Sequence, residues 1–303
     1  MISSGIYIHI PFCINKCNYC DYYSTEIKKA KIPDIFIKML IKEIELTAEN
    51  FNYNWEFNSI YIGGGSPALI NVNDIKRILL KLKQYFSISK DSEITIEINP
   101  GENTYTNLKA LRNLGINRVS LGFQSLDTEK LKLLTRNHNY NDCDQLLKYS
   151  RKAGFNNISV DMLYNIPNQT IDDWKSNLAL IIEMAPDHIA TFSLSAEKGT
   201  TFYSDIQNKL LSTPNYNIEH KMYIEGSKYL RDSGFTHYEI SSFAKNGKES
   251  IHNLNYWNRN PYLAFGPSAH GFNGKKRYWN VSTLDRYINL LAENMLPIQE
   301  SET

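Results

Sequence analysis

The sequence predicts an α/β fold: a parallel sheet curved into a partial (β/α)6 barrel of the TIM-like kind, followed by an α+β extension. Three observations predict it. Short apolar runs rich in β-branched residues fall at 6–10, 59–62, 93–98, 118–122, 158–163 and 188–194. Amphipathic helical patterns separate them, and βα units repeated in this way need right-handed crossovers on one parallel sheet. Polar and unusual residues gather at the carboxyl ends of the runs, where parallel barrels bind ligands.

The elements follow in order. The first run leads into Cys13, Cys17 and Cys20, and Asp34 then opens a helix whose Ile35, Phe36, Met39, Leu40 and Ile44 form an apolar stripe. The second run ends in Gly63-Gly64-Gly65-Ser66-Pro67, before a helix over 74–85. The third closes on Glu97 and Asn99-Pro100, before a helix over 106–114. Gln124 follows the fourth, with helices over 127–134 and 142–153. Asp161 lies within the fifth, and a helix over 172–184 leads to the sixth. Gly115 and Gly154 stand where helix C-caps fall. Residues 1–200 are therefore expected to hold the barrel core and 201–303 the extension.

A chain of 303 residues, 42% hydrophobic and 21% charged, is long enough to bury a substantial core. Its net charge of +1 offers no basis for binding nucleic acid or an anionic membrane surface. No apolar run approaches the ~20 residues of a membrane helix, and residues 1–5 have neither the basic nor the apolar part of a secretory leader. A cytoplasmic protein without a transmembrane segment is expected.

The cysteines are the most specific signal. Four-iron clusters are usually held by four thiolates, so the CxxxCxxC of Cys13, Cys17 and Cys20, with no fourth cysteine nearby, leaves one iron open to a small chelating ligand. The amino and carboxylate groups of S-adenosylmethionine suit that iron. Structural zinc wants four ligands, commonly as two separated pairs, and the nearest imidazole, His9, lies inside a predicted strand. A disulfide framework does not suit a long chain with four cysteines and no leader. Cys143, alone on a helix, reads as a small packed hydrophobe.

At the other strand ends the residues leave alternatives open. Three glycines make a tight turn, or let a backbone approach a ligand closely. Glu97 and Asp161 lie in apolar strands, where an unpaired carboxylate is costly, so a ligand or partner is expected beside each. Arg136, in Thr135-Arg136-Asn137-His138, reads equally as a solvated surface arginine. His252 has aromatic neighbours that suit heme; the other reading is a histidine held by local hydrogen bonds.

The triad with an aromatic residue before its third cysteine, followed by GGGSP after the next strand, resembles the radical S-adenosylmethionine superfamily. Residues 7–13, 97–100, 122–125, 161–167, 238–241 and His252-Asn253-Leu254-Asn255-Tyr256-Trp257 resemble more closely its coproporphyrinogen-oxidase-like branch. Two features favour the heme-chaperone (HemW) form over the oxidase: Tyr22 where the oxidase has a further cysteine, and six residues before Tyr7, too few for the oxidase's N-terminal extension. The HNxxYW hexapeptide also fits the chaperone signature. The resemblance implies a [4Fe-4S] cluster on Cys13, Cys17 and Cys20, and S-adenosylmethionine among Tyr7, Gly64, Gly65, Ser66, Glu97, Gln124, Arg136 and Asp161, with Arg136 suited to its carboxylate. It implies heme near His252, with His270 a second candidate. The implied partners are heme, respiratory heme-acceptor proteins and an electron donor for the cluster. Oxidative decarboxylation of coproporphyrinogen and a cluster-bearing binding module without turnover are the alternative functions. Family members commonly continue into a small helical domain beyond 296–298, which is expected to be missing here.

Overall fold

The computed structural model describes residues 2–27, 32–212 and 215–302. Its strands are β1 (Ile2–Ile10), β2 (Phe12–Cys13), β3 (Thr25–Glu26), β4 (Trp55–Gly64), β5 (Ile88–Ile98), β6 (Arg118–Gln124), β7 (Ile158–Tyr164), β8 (His188–Ser193), β9 (Thr236–His237), β10 (Ser242–Ala244), β11 (Tyr262–Phe265), β12 (His270–Phe272), β13 (Arg277–Asn280) and β14 (Ile298–Glu302). Between them lie helices α1 (Asp34–Glu49), α2 (Val72–Tyr85), α3 (Tyr105–Asn113), α4 (Thr128–Leu133), α5 (Tyr140–Ala153), α6 (Ile171–Glu183), α7 (Thr201–Gln207), α8 (Tyr216–Asp232), α9 (Ile251–Trp257) and α10 (Leu284–Ala292).

One sheet carries the fold, in the order β14-β13-β12-β11-β1-β4-β5-β6-β7-β8-β10-β9. Strands β1, β4, β5, β6, β7 and β8 are parallel, as predicted. A seventh parallel strand, β11, joins the far side of β1 from within the expected extension. The extension's other strands close the two edges in antiparallel fashion. No helix among the described residues is long and apolar enough to cross a membrane.

The parallel strands alternate strictly, and this alternation places the site. One set of side chains, including Ile6, Ile8, Ile60, Ile62, Ile94, Ile96, Val119, Leu121, Ile158 and Val160, is buried and faces the helices. The alternate set is Tyr7 and His9, Ser59 and Tyr61, Glu93, Thr95 and Glu97, Arg118 and Ser120, Ser159 and Asp161, and His188. Register aligns these across the sheet: Tyr7 with Tyr61, Tyr61 with Thr95, Thr95 with Arg118, and Glu97 with Ser120. A polar interior is the result.

The helices begin where their caps stand. Asn71, Thr104, Asp127, Asn139 and Thr170 each accept a backbone N–H of the first turn, and Gly154, at φ 98°, ends α5. On α1 the predicted stripe needs correcting. Ile35 is 45% exposed, whereas Ile37 and the carboxyl-bearing Glu43 are buried with Phe36, Met39, Leu40 and Ile44. The buried face is wider than the stripe, because the helix lies between the sheet and α10.

Glu43 makes that sandwich polar at one point. It accepts hydrogen bonds from Tyr287 Oη (2.6 Å), Asn280 Nδ2 (2.6 Å) and the Gly266 N–H (2.8 Å). Gly266 is at φ +100°, and a Cβ there would sit 2.4 Å from the His9 carbonyl oxygen. The Glu43 carboxylate thus ties α1, β13, α10 and the loop after β11 to the end of β1. Burial pushes its pKa up to about 7. A folded pKa above the unfolded one contributes stability that is complete below about pH 4.5 and is lost as pH rises through about 7. We predict that Glu43→Ala costs about 3 kcal/mol by stranding three donors, and that Glu43→Gln removes this loss of stability between pH 5 and 8; urea unfolding across that range checks both.

Candidate functional site

The cysteine loop leaves β1 and is fastened on every side. Thr25 N–H donates to the Pro11 carbonyl (2.6 Å) and Ile27 N–H to that of Cys13 (2.9 Å). Asn18 binds the segment after α4 through Thr135 Oγ1 (2.9 Å) and the Leu133 carbonyl (2.9 Å), and its own carbonyl accepts from Phe202 N–H at the start of α7 (2.9 Å). Cys13, Cys17 and Cys20 are half-buried free thiols. Burial raises the Cys13 thiol pKa and pushes that of Cys20 up to about 11. Among the described residues no three His, Cys, Asp or Glu side chains converge on a single metal ion. The three thiols line one cavity, and a set of three sulfur donors suits an iron-sulfur cluster with one open iron. His9 is unavailable as a ligand. Its Nε2 donates to the Tyr23 carbonyl (2.9 Å), so Nδ1 accepts from Tyr7 Oη (3.0 Å).

The glycine loop lies directly on the cysteine loop. Gly65 and Ser66 donate their N–H groups to the carbonyls of Ile10 (2.8 Å) and Phe12 (2.7 Å). A Cβ at Gly65 would stand 2.5 Å from the Phe12 carbonyl oxygen and 2.9 Å from Cys13 Sγ. At Gly64, φ is +113° and a Cβ would meet the His9 ring at 2.7 Å. The close approach that glycine permits is made first to the protein itself. Ser66 Oγ then donates to Glu102 (2.9 Å), which also accepts from Asn99 Nδ2 (3.1 Å).

The carboxylates point into the barrel. Glu97 accepts from Tyr61 Oη (2.9 Å) and the Gly64 N–H (3.0 Å), and burial, with Asp161 nearby, pushes its pKa up to about 7. Asp161 accepts from Ser120 Oγ on both oxygens (3.0 and 3.1 Å) and from Ser159 Oγ (3.4 Å); burial raises it too. Arg136 is not a solvated surface arginine. Its Nη2 donates to Asn99 Oδ1 (2.7 Å) and the Gly122 carbonyl (2.5 Å), Nη1 lies 3.6 Å from Cys17 Sγ, and its buried Nε has no partner among the described residues. Gln124 turns the chain at φ 66°, a left-handed conformation uncommon outside glycine.

Cys13, Cys17, Cys20, Gly64, Gly65, Ser66, Glu97, Gln124, Arg136 and Asp161 thus line one cavity of about 1020 Å³. Tyr7 stands behind its wall, ring to ring with Tyr61 and His252 at 6.3 and 6.5 Å. His252 is 1% exposed and does not face the cavity. Its Nδ1 pairs with Ser59 Oγ (2.9 Å) and its Nε2 with Tyr256 Oη (2.8 Å), so neither nitrogen is open to a ligand in this conformation. Burial, reinforced by the Arg118 guanidinium, pushes its pKa down to about 3. His270, exposed, stacks on Trp279 at 5.6 Å, away from the cavity. Cys143 is buried in the core. Trp257, an aromatic of the hexapeptide singled out in the sequence, lines the cavity with an exposed ring, and so do Glu102, Arg118, His188 and the exposed ring of Phe192, which sequence reading missed. Only alternation carried a signal for Arg118 and His188, since both occupy interior-facing positions of apolar strands.

For the cluster that the triad predicts, anaerobically reconstituted protein should hold about four irons per chain. Replacing Cys13, Cys17 or Cys20 by Ala should abolish it, while Cys143→Ala retains it. Gly65→Val should also lose iron, because its side chain collides with Cys13. Gly64→Val should lower the melting temperature of the whole domain and not ligand affinity alone. Iron assay and thermal denaturation check these outcomes.

Residues 7–181 match the family described as the Radical SAM superfamily. The protein "Heme chaperone HemW" of Buchnera aphidicola subsp. Acyrthosiphon pisum is 38% identical over 267 residues, covering 88% of this chain and 69% of that one. The protein of the same description from Bacillus subtilis is 33% identical over 296 residues, 97% of this chain and 78% of that one. Among solved structures, "Coproporphyrinogen III oxidase (HemN) from Escherichia coli is a Radical SAM enzyme" superposes with a TM-score of 0.88 at 24% identity, over 99% of this chain and 72% of that one, and shows the shared fold. The chain belongs to the radical SAM superfamily and, within it, to the HemW heme chaperone family.

Proposed function

We propose that the protein is a cytoplasmic heme chaperone that binds heme, a [4Fe-4S] cluster and S-adenosylmethionine at this cavity and delivers heme to acceptor proteins. The observation that carries the reading is one cavity lined by two kinds of group. The three thiols, the glycine loop, Glu97, Arg136 and Asp161 line it together with Tyr256, Trp257 and Phe192, the latter two 52% and 46% exposed. Exposed aromatic faces suit a porphyrin plane. When bound, the cluster supplies an electron-transfer centre, and S-adenosylmethionine a chelating ligand for its open iron. The residues of the chain bind, orient and shield. Arg136, with its unpartnered Nε, offers a donor toward a carboxylate, and Glu97 and Asp161 offer acceptors toward hydroxyl or amino groups.

His252 is proposed as the heme ligand, with a condition set by its hydrogen bonds. The Tyr256 phenol holds Nε2 and also lines the cavity, so ligation requires that hydrogen bond to break. Purified protein should take up heme stoichiometrically, and His252→Ala should shift the heme absorption spectrum. Tyr256→Phe removes the competing hydrogen bond, worth about 1 kcal/mol, and should tighten heme binding about fivefold. The wild-type protein should not convert coproporphyrinogen III under reducing conditions with S-adenosylmethionine. Robust conversion would favour the oxidase reading. Heme uptake indifferent to His252 would keep the chaperone and move the ligand, with His270 tested next.

A further inference from the structure

Deep in the barrel, the side chain of Arg118 is buried and only 3% exposed, and it lines the cavity. Its Nε has no hydrogen-bond partner among the described residues, and its ion-pair partner, Glu93 Oε2, is 3.9 Å away. A guanidinium carries five N–H donors in a rigid fork, and burying them unmet is costly.

The surrounding acceptors are already engaged. Glu93 receives the N–H groups of Ile251 (3.1 Å) and His252 (3.2 Å) and the Ser250 hydroxyl (3.4 Å), capping α9. Asp161 is taken by Ser120 and Ser159, and Glu97 by Tyr61 and Gly64. His188 pairs with Ser159 Oγ (2.8 Å) and Tyr238 Oη (2.8 Å). The neighbouring carboxylates and His188 are held by other groups, and Thr95 Oγ1, aligned with Arg118 across β5 and β6, has no partner of its own, so among the described residues the Arg118 fork makes no hydrogen bond within the barrel and lines the cavity. Burial raises the pKa of Glu97 and Asp161, and the Arg118 guanidinium acts on both in the opposite direction, which places it close to these carboxyl groups.

We propose that Arg118 is a second, deep carboxylate anchor of the cavity, distinct from Arg136. The two lie at different depths. Arg136 binds the carbonyl of Gly122, four residues along β6 from Arg118, a rise of about 13 Å at strand spacing. The planar fork matches a carboxylate in bidentate fashion. The source that follows from the function proposed above, on which the inference rests, is a propionate of heme, since the amino-acid carboxylate of the adenosyl ligand is already assigned to the open iron and Arg136.

The test measures dissociation constants on anaerobically reconstituted protein for two probe pairs: heme with heme dimethyl ester, and S-adenosylhomocysteine with 5'-methylthioadenosine. In each pair only the first member carries the carboxylate. Arg118→Gln should weaken heme about tenfold or more, with heme dimethyl ester unchanged and both members of the adenosyl pair unchanged as the control. Arg118→Lys keeps the charge beside Glu93 but not the fork; it should show a smaller loss for heme, and it carries the comparison if Arg118→Gln does not fold. Equal weakening of heme and its dimethyl ester, or no weakening of heme, overturns the anchor while leaving the heme and cofactor reading intact. Failure of wild-type protein to bind any of the four probes overturns that reading and the anchor with it.

Discussion

The mouth of the barrel depends on how closely two loops lie against each other. Gly65 and Ser66 hydrogen-bond to the carbonyls of Ile10 and Phe12, so the glycine loop is a backbone extension of the strand pairing between β1 and β4. A side chain at Gly65 would strike the carbonyl of Phe12 and the sulfur of Cys13. Glycine there keeps the cysteine loop seated. From this contact the rest is built outward: Ser66 reaches Glu102, Glu102 holds Asn99, and Asn99 accepts from Arg136, which stands beside Cys17. The thiols and the candidate cofactor residues are therefore one hydrogen-bonded unit, and their placement does not rest on any single strand end.

Below that unit the barrel interior is polar, and its stability rests on pairing. Glu93 caps α9 and so fixes the helix that carries His252, Tyr256 and Trp257. The same helix then divides its residues by face. His252 is turned into the niche beside Gly5 and Ser59, where a Cβ on Gly5 would stand 3.2 Å from its ring. Tyr256 and Trp257 are turned toward the cavity. Tyr256, four residues on, shares the face of His252 and hydrogen-bonds it while reaching the cavity, whereas Trp257, five residues on, is rotated away from the imidazole and is 52% exposed.

The order of parallel strands was readable because each is buried on both faces or nearly so, which leaves a dense run of apolar residues in the sequence. Strand limits were less readable. The strand β5 begins at Ile88, well before the apolar run, because its first residues are exposed and are held by hydrogen bonds to a neighbour and not by burial. The strand β11 escaped as a member of the parallel sheet because its partner, β1, lies some 250 residues away in the chain, roughly the separation that local patterns cannot register. Ile35 was placed on the wrong side of α1 for a related reason: periodicity gives a stripe, and only the second neighbour, α10, widens it to include Ile37 and Glu43.

By itself the sequence determined the α/β alternation, the location of unusual residues at strand ends and the three-thiol triad, since each depends on residue type and on spacing within one element. Tertiary structure alone decided which polar groups find partners. Glu97 and Asp161 read as carboxylates in apolar strands, and the fold buries Glu93 and Glu43 as well, yet their partners are Tyr61, Ser120, the start of α9 and Tyr287, from elements distant in the chain. His252 and Arg118 show the same limit from opposite sides. The imidazole is fully engaged and the guanidinium is left without a hydrogen bond, because hydrogen-bond satisfaction is a property of the folded neighbourhood and has no signature in the order of residues.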